Sequence, residues 1–97
     1  MSRRAISQSA RVVIARDVLA SEFESEYVVL SLKNGTYYGL HNVGAEVWRL
    51  VETPIAVGDI CARLVEMFEV DGDTCRRDVQ RLVSELADNG LVEIDIP

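Results

Sequence analysis

Residues 33–50 read KNGTYYGLHNVGAEVWRL, and this stretch decides the fold because a hairpin turn, a strand and a helix start follow one another within it. The Asn34-Gly35 pair is typical of a two-residue type I′ hairpin turn, since that turn needs a positive φ at both central residues. The flanking residues, 27–32 and 36–40, are rich in the β-branched and aromatic side chains that strands favour. The sequence therefore predicts a β-hairpin around this pair.

The second strand of this hairpin carries adjacent tyrosines, Tyr37 and Tyr38. Because successive strand residues point to opposite faces, one ring is expected to enter the core while the other stays outside. Gly39 follows, and its missing side chain allows another backbone to approach closely, although a simple bend before the helix is the alternative. An open edge on this strand is a candidate docking surface.

An amphipathic helix is predicted directly after the hairpin. Asn42 is suited to cap its N-terminus, because the side-chain oxygen can accept a backbone N–H bond. The apolar residues that follow fall on one helical face: Val43, Val47, Trp48 and Val51. Thr53-Pro54 then ends the pattern, because proline cannot continue a helix from within and restricts the residue before it.

Two further helices are predicted in the second half of the chain. The first spans about residues 57–68 and has one apolar stripe, formed by Ile60, Cys61, Leu64, Val65 and Phe68. Asp71-Gly72-Asp73 supplies a turn and an N-cap for the second helix, which spans about residues 74–87. Its apolar residues recur every three to four positions, at Cys75, Val79, Leu82, Val83 and Leu86. Asn89-Gly90 is expected to end it as a C-terminal cap.

The remaining segments complete an α+β domain. We expect a flexible tail over residues 1–9 and one domain over residues 10–97, with a first strand at 11–18, a polar connection at 19–25 and a last strand at 91–94. A three-stranded antiparallel sheet is then followed by three helices, which segregates sheet from helices. Two helices that are joined by a tight turn beside a hairpin are typical of a winged helix-turn-helix.

The charge and hydropathy patterns argue against several function classes. The chain has 16 acidic and 10 basic residues and a net charge of −6, whereas nucleic-acid binders need cations to displace phosphate counterions. Arg76, Arg77 and Arg81 remain as a candidate local basic patch. No apolar run approaches the ~18 residues of a membrane span, and no apolar segment follows the N-terminal arginines as in a signal peptide. We therefore expect a cytoplasmic protein without membrane contact.

The sequence offers little catalytic chemistry. His41 is the single histidine, and both cysteines, Cys61 and Cys75, lie on apolar helical stripes, where a thiol is usually a small core residue. Asp71 and Asp73 are spaced like the opening of a calcium loop, but the glycine and the closing glutamate that such a loop requires are missing. We expect no enzymatic activity, no metal and no cofactor.

Residues 37–48, YYGLHNVGAEVW, resemble the signature of the PqqD-like family, which reads aromatic-aromatic-x-Leu-Asn-x-x-Gly-x-x-Ile-Trp. The family pattern continues with a threonine turn and, later, with a helix that opens on Asp-Val and ends in Gly-Leu-Val. Residues at matching positions of this chain are Thr53, Asp78, Val79, Gly90, Leu91 and Val92. The resemblance covers roughly residues 12–93, and the combination is more specific than any one motif. His41 departs from the pattern, which has asparagine there, so the cap is expected to fall to Asn42.

This resemblance implies a function in peptide recognition. Members of the family are recognition elements for ribosomally made precursor peptides (RiPPs), and this chain looks like those of lasso-peptide biosynthesis. The resemblance implies a non-catalytic domain that adds the precursor's leader segment as a strand to its third strand, beside the third helix, by β-augmentation. Carried onto this sequence, the site comprises Gly35, Thr36, Tyr37, Tyr38, Gly39, Leu40, Cys75, Asp78, Val79, Leu82, Glu85 and Leu86.

The resemblance also implies partners. In lasso systems these are a leader peptidase of the cysteine-protease type and an ATP-dependent cyclase that resembles asparagine synthetase. Two alternatives stay open at this point. One is the carriage of a quinone-cofactor precursor to a radical-SAM enzyme, and the other is a winged-helix DNA-binding regulator with its third helix in a major groove.

Overall fold

The computed structural model describes residues 6–95, which form two small antiparallel sheets and three helices. The strands are β1 (Arg11–Ile14), β2 (Val18–Phe23), β3 (Glu26–Ser31), β4 (Tyr37–Leu40), β5 (Ile55–Ala56) and β6 (Val92–Asp95). The helices are α1 (Val43–Val51), α2 (Val57–Phe68) and α3 (Gly72–Asp88). The larger sheet, which has the longer strands, has the order β2-β3-β4, and the smaller sheet has the order β5-β1-β6. The predicted α+β class, with a three-stranded antiparallel sheet followed by three helices, is confirmed.

The first strand of the larger sheet is not the strand that the sequence predicted. Residues 11–18 do not form one strand, because β1 ends at Ile14 and Asp17 takes a φ of 59° that turns the chain into β2. The polar connection expected at residues 19–25 is also wrong. There β2 pairs with β3 in a register that runs from Val18 opposite Ser31 to Phe23 opposite Glu26. Backbone pairing with β3 fixes this segment, although most of its side chains are exposed.

The larger sheet contains two hairpin turns, and the tight one is not the one that the sequence predicted. Glu24 and Ser25 join β2 to β3 as a two-residue loop with φ values of 52° and 68°, which is the signature of a type I′ turn. Between β3 and β4 the Ser31 N–H donates to the Thr36 carbonyl at 2.8 Å, so the loop comprises residues 32–35. Gly35 takes a φ of 75° there. The predicted hairpin is confirmed, but the two-residue turn at Asn34-Gly35 is wrong.

The N-terminus of α1 is built on a backbone turn and not on a side-chain cap. Asn42 has a φ of 54° and a ψ of −126°, and its side chain makes no capping hydrogen bond. The Gly44 N–H donates to the His41 carbonyl at 3.0 Å. These dihedral angles are those of the first central residue of a type II′ turn. The predicted capping role of Asn42 is therefore wrong.

The core lies between the three helices and the two sheets, and it includes Val12 of β1 and Val92 of β6. Its largest fully buried side chains include Trp48 of α1, Ile60 and Leu64 of α2, and Leu86 of α3. The bounds predicted for α2 are confirmed, but Val65 and Phe68 at its C-terminal end are 38% and 37% exposed. Phe68 lines an open groove beside α3, whereas Val65 lies on another side of α2, near Gly58 and Ala62.

The predicted caps of α3 are confirmed, although the helix begins at Gly72, two residues before the predicted start. The Asp71 side chain accepts a hydrogen bond from the Thr74 N–H at 3.0 Å and so caps the N-terminus. At the C-terminus, Gly90 takes a φ of 75° and the Leu91 N–H donates to the Leu86 carbonyl at 2.9 Å, as in a Schellman motif. The chain then enters β6, which pairs with β1.

The segment before β1 packs onto the helices. Residues 6–9 were expected to belong to a flexible tail. The Gln8 carbonyl, however, accepts a hydrogen bond from the Gly58 N–H at 2.9 Å, and the Ile6 carbonyl accepts one from Gln80 Nε2 at 2.9 Å. The rest of the expected tail, residues 1–5, lies outside the described residues.

Candidate functional site

The strand β4 is the edge of the larger sheet, and its backbone alternates in direction. It pairs with β3 so that Val29 lies opposite Tyr38 and Val28 lies opposite Gly39. The hydrogen bond from Ser31 to Thr36 sets the phase of the alternation, because hydrogen-bonded and non-hydrogen-bonded pairs alternate along an antiparallel ladder. The N–H and C=O groups of Tyr37 and Gly39 therefore point away from β3. Two outward-facing positions are available for a further strand.

The two tyrosine rings of β4 lie on opposite faces of the sheet, as the sequence predicted. Tyr37 is 72% exposed on the outer face. Tyr38 is partly buried on the inner face, where its hydroxyl donates to Glu85 Oε2 of α3 at 2.5 Å. The hydrogen bond to this carboxylate, together with burial, raises the pKa of Tyr38 above its ordinary value.

An apolar groove lies beside this edge and follows the outer face of α3. It has a volume of about 350 Å³. The α3 residues that line it are Thr74, Cys75, Asp78, Val79, Arg81, Leu82 and Glu85. The opposite wall comes from α1, with Val43, Gly44 and Val47, and from the region around the end of α2, with Leu64, Phe68 and Val70. Glu85 therefore lines the groove and also contacts the edge strand.

Gly44 adjoins both the edge strand and the groove. A Cβ atom at this position would lie 3.3 Å from Leu40 Cδ2 and 3.9 Å from Leu82 Cδ2. Leu40 of β4 and Leu82 of α3 thus both lie close to the N-terminal turn of α1. A larger residue here would have to displace Leu40, so glycine keeps this corner of the groove open.

The structure brings most of the predicted site residues together. Residues 37–40 form the edge strand, and Gly35 and Thr36 lie in the loop that leads into it. Five of the six α3 residues line the groove: Cys75, Asp78, Val79, Leu82 and Glu85. Leu86, the sixth, is fully buried in the core and does not line the groove.

The groove wall from α1 and α2 was not predicted. Val43 and Val47 were assigned only to a buried helical face, and Phe68 was assigned to the stripe of α2. The sequence signal was present in part, because an apolar residue in the last turn of a helix often packs against the segment after that helix. The relative placement of three helices, however, could not be read from the sequence.

Two arginines of α3 are paired with aspartates one turn earlier on the same helix. Arg81 contacts the Asp78 carboxylate at 3.0 Å, and Arg76 contacts Asp73. Two of the three arginines of the candidate basic patch thus lie next to aspartates, which weakens the case for a phosphate-binding surface.

The environment of both cysteines disfavours the thiolate form. Burial raises the pKa of the Cys61 thiol to about 11 and also raises that of Cys75. The reactive form of cysteine is the thiolate, which is scarce at neutral pH under these conditions. Among residues 6–95, no cluster of three or more His, Cys, Asp and Glu side chains is arranged to hold a metal ion. Within the same range, no helix combines the length and the hydropathy that crossing a bilayer requires.

Comparisons with known proteins agree with this architecture. The family model for coenzyme PQQ synthesis protein D (PqqD) matches residues 26–92. The structure of TbiB1 in complex with the TbiA(beta) leader peptide is 32% identical, with a TM-score of 0.80, and the match covers 84% of this chain and 94% of that one. No curated protein sequence matches the chain at a significant level.

Two more distant structures share the fold. Lasso peptide synthetase B1 complexed with the leader peptide is 24% identical, with a TM-score of 0.72, and the match covers 84% of this chain and 96% of that one. The PqqD truncation of PqqCD from Methylobacterium extorquens, described as a stand-alone RiPP recognition element, is 22% identical, with a TM-score of 0.74, over 92% and 95% of the two chains. The resemblance noted in residues 37–48 is confirmed by a family match over more than half of the chain, and this protein belongs to the PqqD family.

Proposed function

We propose that this protein binds the leader segment of a ribosomally synthesised precursor peptide, as a non-catalytic recognition element of lasso-peptide biosynthesis. The observation that carries the proposal is the outward-facing edge of β4 directly beside an apolar groove on α3. The similarity to TbiB1, whose structure contains a leader peptide, supports it. An extended peptide uses such a site with its backbone on the edge and its side chains in the groove.

The edge supplies affinity that is independent of the leader's sequence. A peptide strand beside β4 exchanges hydrogen bonds with the outward N–H and C=O groups of Tyr37 and Gly39. Each such bond contributes about 1 kcal/mol net. Gly39 has no side chain and its outer face is uncovered, and a missing side chain allows another backbone to approach closely.

The groove supplies specificity. Its walls are mainly apolar, and burying one large apolar side chain contributes about 1.5–3 kcal/mol. Leu82 is half-buried beside Glu85 and faces this space, whereas Val79 is 2% exposed and forms the floor. The carboxylates of Asp78 and Glu85 already contact Arg81 and Tyr38, and their remaining acceptor sites offer partners for basic groups of the leader. The leader residues that enter the groove are therefore expected to be apolar, with basic residues beside them.

The bound leader is presented to separate enzymes in this proposal. The partners are a leader peptidase of the cysteine-protease type and an asparagine-synthetase-like cyclase. The raised pKa values of both thiols fit a binding role in which the chemistry takes place elsewhere. Measurable cleavage of the leader by the pure protein would contradict this assignment.

Calorimetric titration with a leader peptide tests the proposal. The peptides are the TbiA(beta) leader and the leader of the precursor encoded nearest to this gene. Leu82→Asp places a charge in the apolar groove and is expected to weaken binding at least about tenfold, which corresponds to about 1.4 kcal/mol. Circular dichroism must show that the variant is folded.

Arg77→Asp is the matched control, because it adds a carboxylate to an exposed position of α3 that does not line the groove. It is expected to bind the leader as the parent protein does. No heat of binding with either leader, or equal losses in both variants, would contradict binding in the groove.

A further inference from the structure

The loop between β3 and β4 is tied to the C-terminal end of α3 by one side chain. Asn34 Nδ2 donates to the Asn89 carbonyl at 3.1 Å, across 55 positions of sequence. The Oδ1 atom of the same side chain accepts a hydrogen bond from the Thr36 N–H at 2.9 Å. One amide group therefore shapes the loop with its oxygen and contacts the helix end with its nitrogen.

The C-terminal end of α3 leaves space for the Asn34 amide. Gly90 takes a φ of 75°, and a Cβ atom at this position would lie 2.7 Å from Asn34 Nδ2, closer than real Cβ contacts allow. Asn89 is itself held, because its N–H and its Nδ2 both donate to the Glu85 carbonyl. The Asn89 carbonyl, which accepts from Asn34, is therefore held by two hydrogen bonds to α3. The residue after it is glycine, which has no Cβ to collide with the Asn34 amide.

This contact spans the gap between the two parts of the proposed site. Asn34 lies three positions before the first residue of β4, and Asn89 lies four positions after Glu85 of the groove wall. Further along the same gap, Tyr38 contacts Glu85. A peptide that must pair with β4 and fill the groove at once needs a fixed spacing between them. If that spacing varies in the free protein, binding has to fix it, and the entropy lost in doing so lowers the affinity.

We propose that Asn34 is a positioning residue for leader recognition, which holds β4 at a fixed spacing from α3 through its hydrogen bond to Asn89. The inference rests on the proposed function, and it adds a residue that does not touch the peptide. Its role is to let one peptide engage the strand edge and the groove simultaneously. Loss of the hydrogen bond leaves the strand edge and the groove intact but lets the distance between β4 and α3 vary.

Two substitutions isolate this contact. Asn34→Asp retains an oxygen acceptor for the Thr36 N–H but replaces the donor to Asn89 by a second acceptor. Asn34→Ser retains a hydroxyl acceptor for the turn, adds no charge and is too short to reach the helix. Lys33→Ala, an exposed position of the same loop, is the control.

The first readout needs no peptide. Nitroxide labels on introduced cysteines at Leu32 and Arg77, both exposed, report the distance between the loop and α3 by pulsed electron spin resonance. The native thiols of Cys61 and Cys75 are buried with raised pKa, so they react slowly with the label at neutral pH. Both Asn34 variants are expected to broaden the distance distribution, and Lys33→Ala is expected to leave it unchanged.

The second readout is leader affinity, measured at a temperature where thermal melts show every variant folded. Loss of one hydrogen bond between the two surfaces is expected to weaken binding about fivefold to tenfold in both Asn34 variants. Saturating leader should narrow their distance distributions again, which a merely structural role would not produce. An unchanged distribution, or a broadened one with parental affinity, would overturn the inference. If the parent itself binds no leader, the proposed function fails, while the distance distributions still decide whether Asn34 fixes the spacing.

Discussion

The hydroxyl of Tyr38 donates a hydrogen bond to Glu85 Oε2 at 2.5 Å, which joins the edge strand to the wall of the groove. Tyr38 precedes Gly39 and follows Tyr37, the two positions whose backbone faces outward. The strand that offers the edge is thus attached, by its one inward tyrosine, to the helix that offers the groove.

The Tyr38–Glu85 contact is expected to stabilise the protein in a pH-dependent way. The hydrogen bond to Glu85 and burial raise the pKa of Tyr38 above 10.0, so the folded protein keeps this proton where the unfolded chain has lost it. Its contribution is therefore complete below pH 10.0 and is lost as the pH rises through the folded pKa. Tyr38→Phe should lower the free energy of unfolding by about 1 kcal/mol at neutral pH.

Chemical denaturation of the parent and of Tyr38→Phe, at neutral pH and at several values above about 10, measures this difference. It should shrink as the pH rises. Tyr37→Phe serves as the control, because Tyr37 is exposed and its ring lies on the other face of the sheet. A difference between the parent and Tyr38→Phe that stays constant across the pH range would contradict the assigned role of the contact.

A second prediction concerns Asn42, which holds a positive φ at the start of α1. Its φ of 54° and ψ of −126° strain a residue with a Cβ atom, and glycine is favoured at this position of a type II′ turn. Asn42→Gly should therefore raise the free energy of unfolding by about 1 kcal/mol. If the Asn42 side chain capped the helix, Asn42→Gly would instead lower the free energy of unfolding, because the loss of a cap destabilises a helix. Urea denaturation of the parent, Asn42→Gly and Asn42→Ala distinguishes the two, with Asn42→Ala expected to be less stable than the parent.

Local signals predicted the helices of the second half well. Asp71 caps the N-terminus of α3 and Gly90 ends the helix, so both ends follow from residues that lie next to them in the sequence. The hairpin turns did not follow in this way. Asn34-Gly35 has the stronger type I′ signal, yet the tight turn forms at Glu24-Ser25. The pairing register of β2, β3 and β4 decides which turn is tight, and register depends on contacts that are distant in sequence.

One part of the candidate site could be predicted from the sequence and the other part could not. The edge strand and the α3 face follow from residues 37–40 and from the resemblance to a known family. The other wall depends on how α1 and the end of α2 pack against α3, which periodicity does not encode. Val79 and Leu82 illustrate the point, because both fit one apolar stripe, yet the structure makes the first a buried floor and the second a half-buried wall.

A third prediction tests the alternation of β4 by proline substitution. Tyr37→Pro and Gly39→Pro remove outward N–H groups and spare the pairing with β3, so the variants should fold. Each should lower leader affinity at least about tenfold, because a hydrogen bond is lost and the proline ring obstructs the incoming strand. Tyr38→Pro removes an inward donor and should unfold the sheet, and Thr36→Pro should disturb the loop, since the Thr36 N–H donates to Asn34.

Calorimetric titration beside thermal melts provides the readout for the proline series. Tyr37→Ala controls for the loss of the tyrosine ring. If Tyr37→Pro and Gly39→Pro are both folded and bind the leader with parental affinity, the peptide does not dock on this edge.

Hydrogen exchange at individual amides tests strand addition most directly. In the free protein, the amides of Tyr37 and Gly39 face away from β3 and should exchange rapidly, whereas the Tyr38 amide, paired with β3, should exchange slowly. Saturation with leader peptide should slow exchange at Tyr37 and Gly39 and leave Tyr38 slow, as a new strand forms beside β4. If the leader binds while the Tyr37 and Gly39 amides exchange as fast as in the free protein, it is not held by strand addition and the account is wrong.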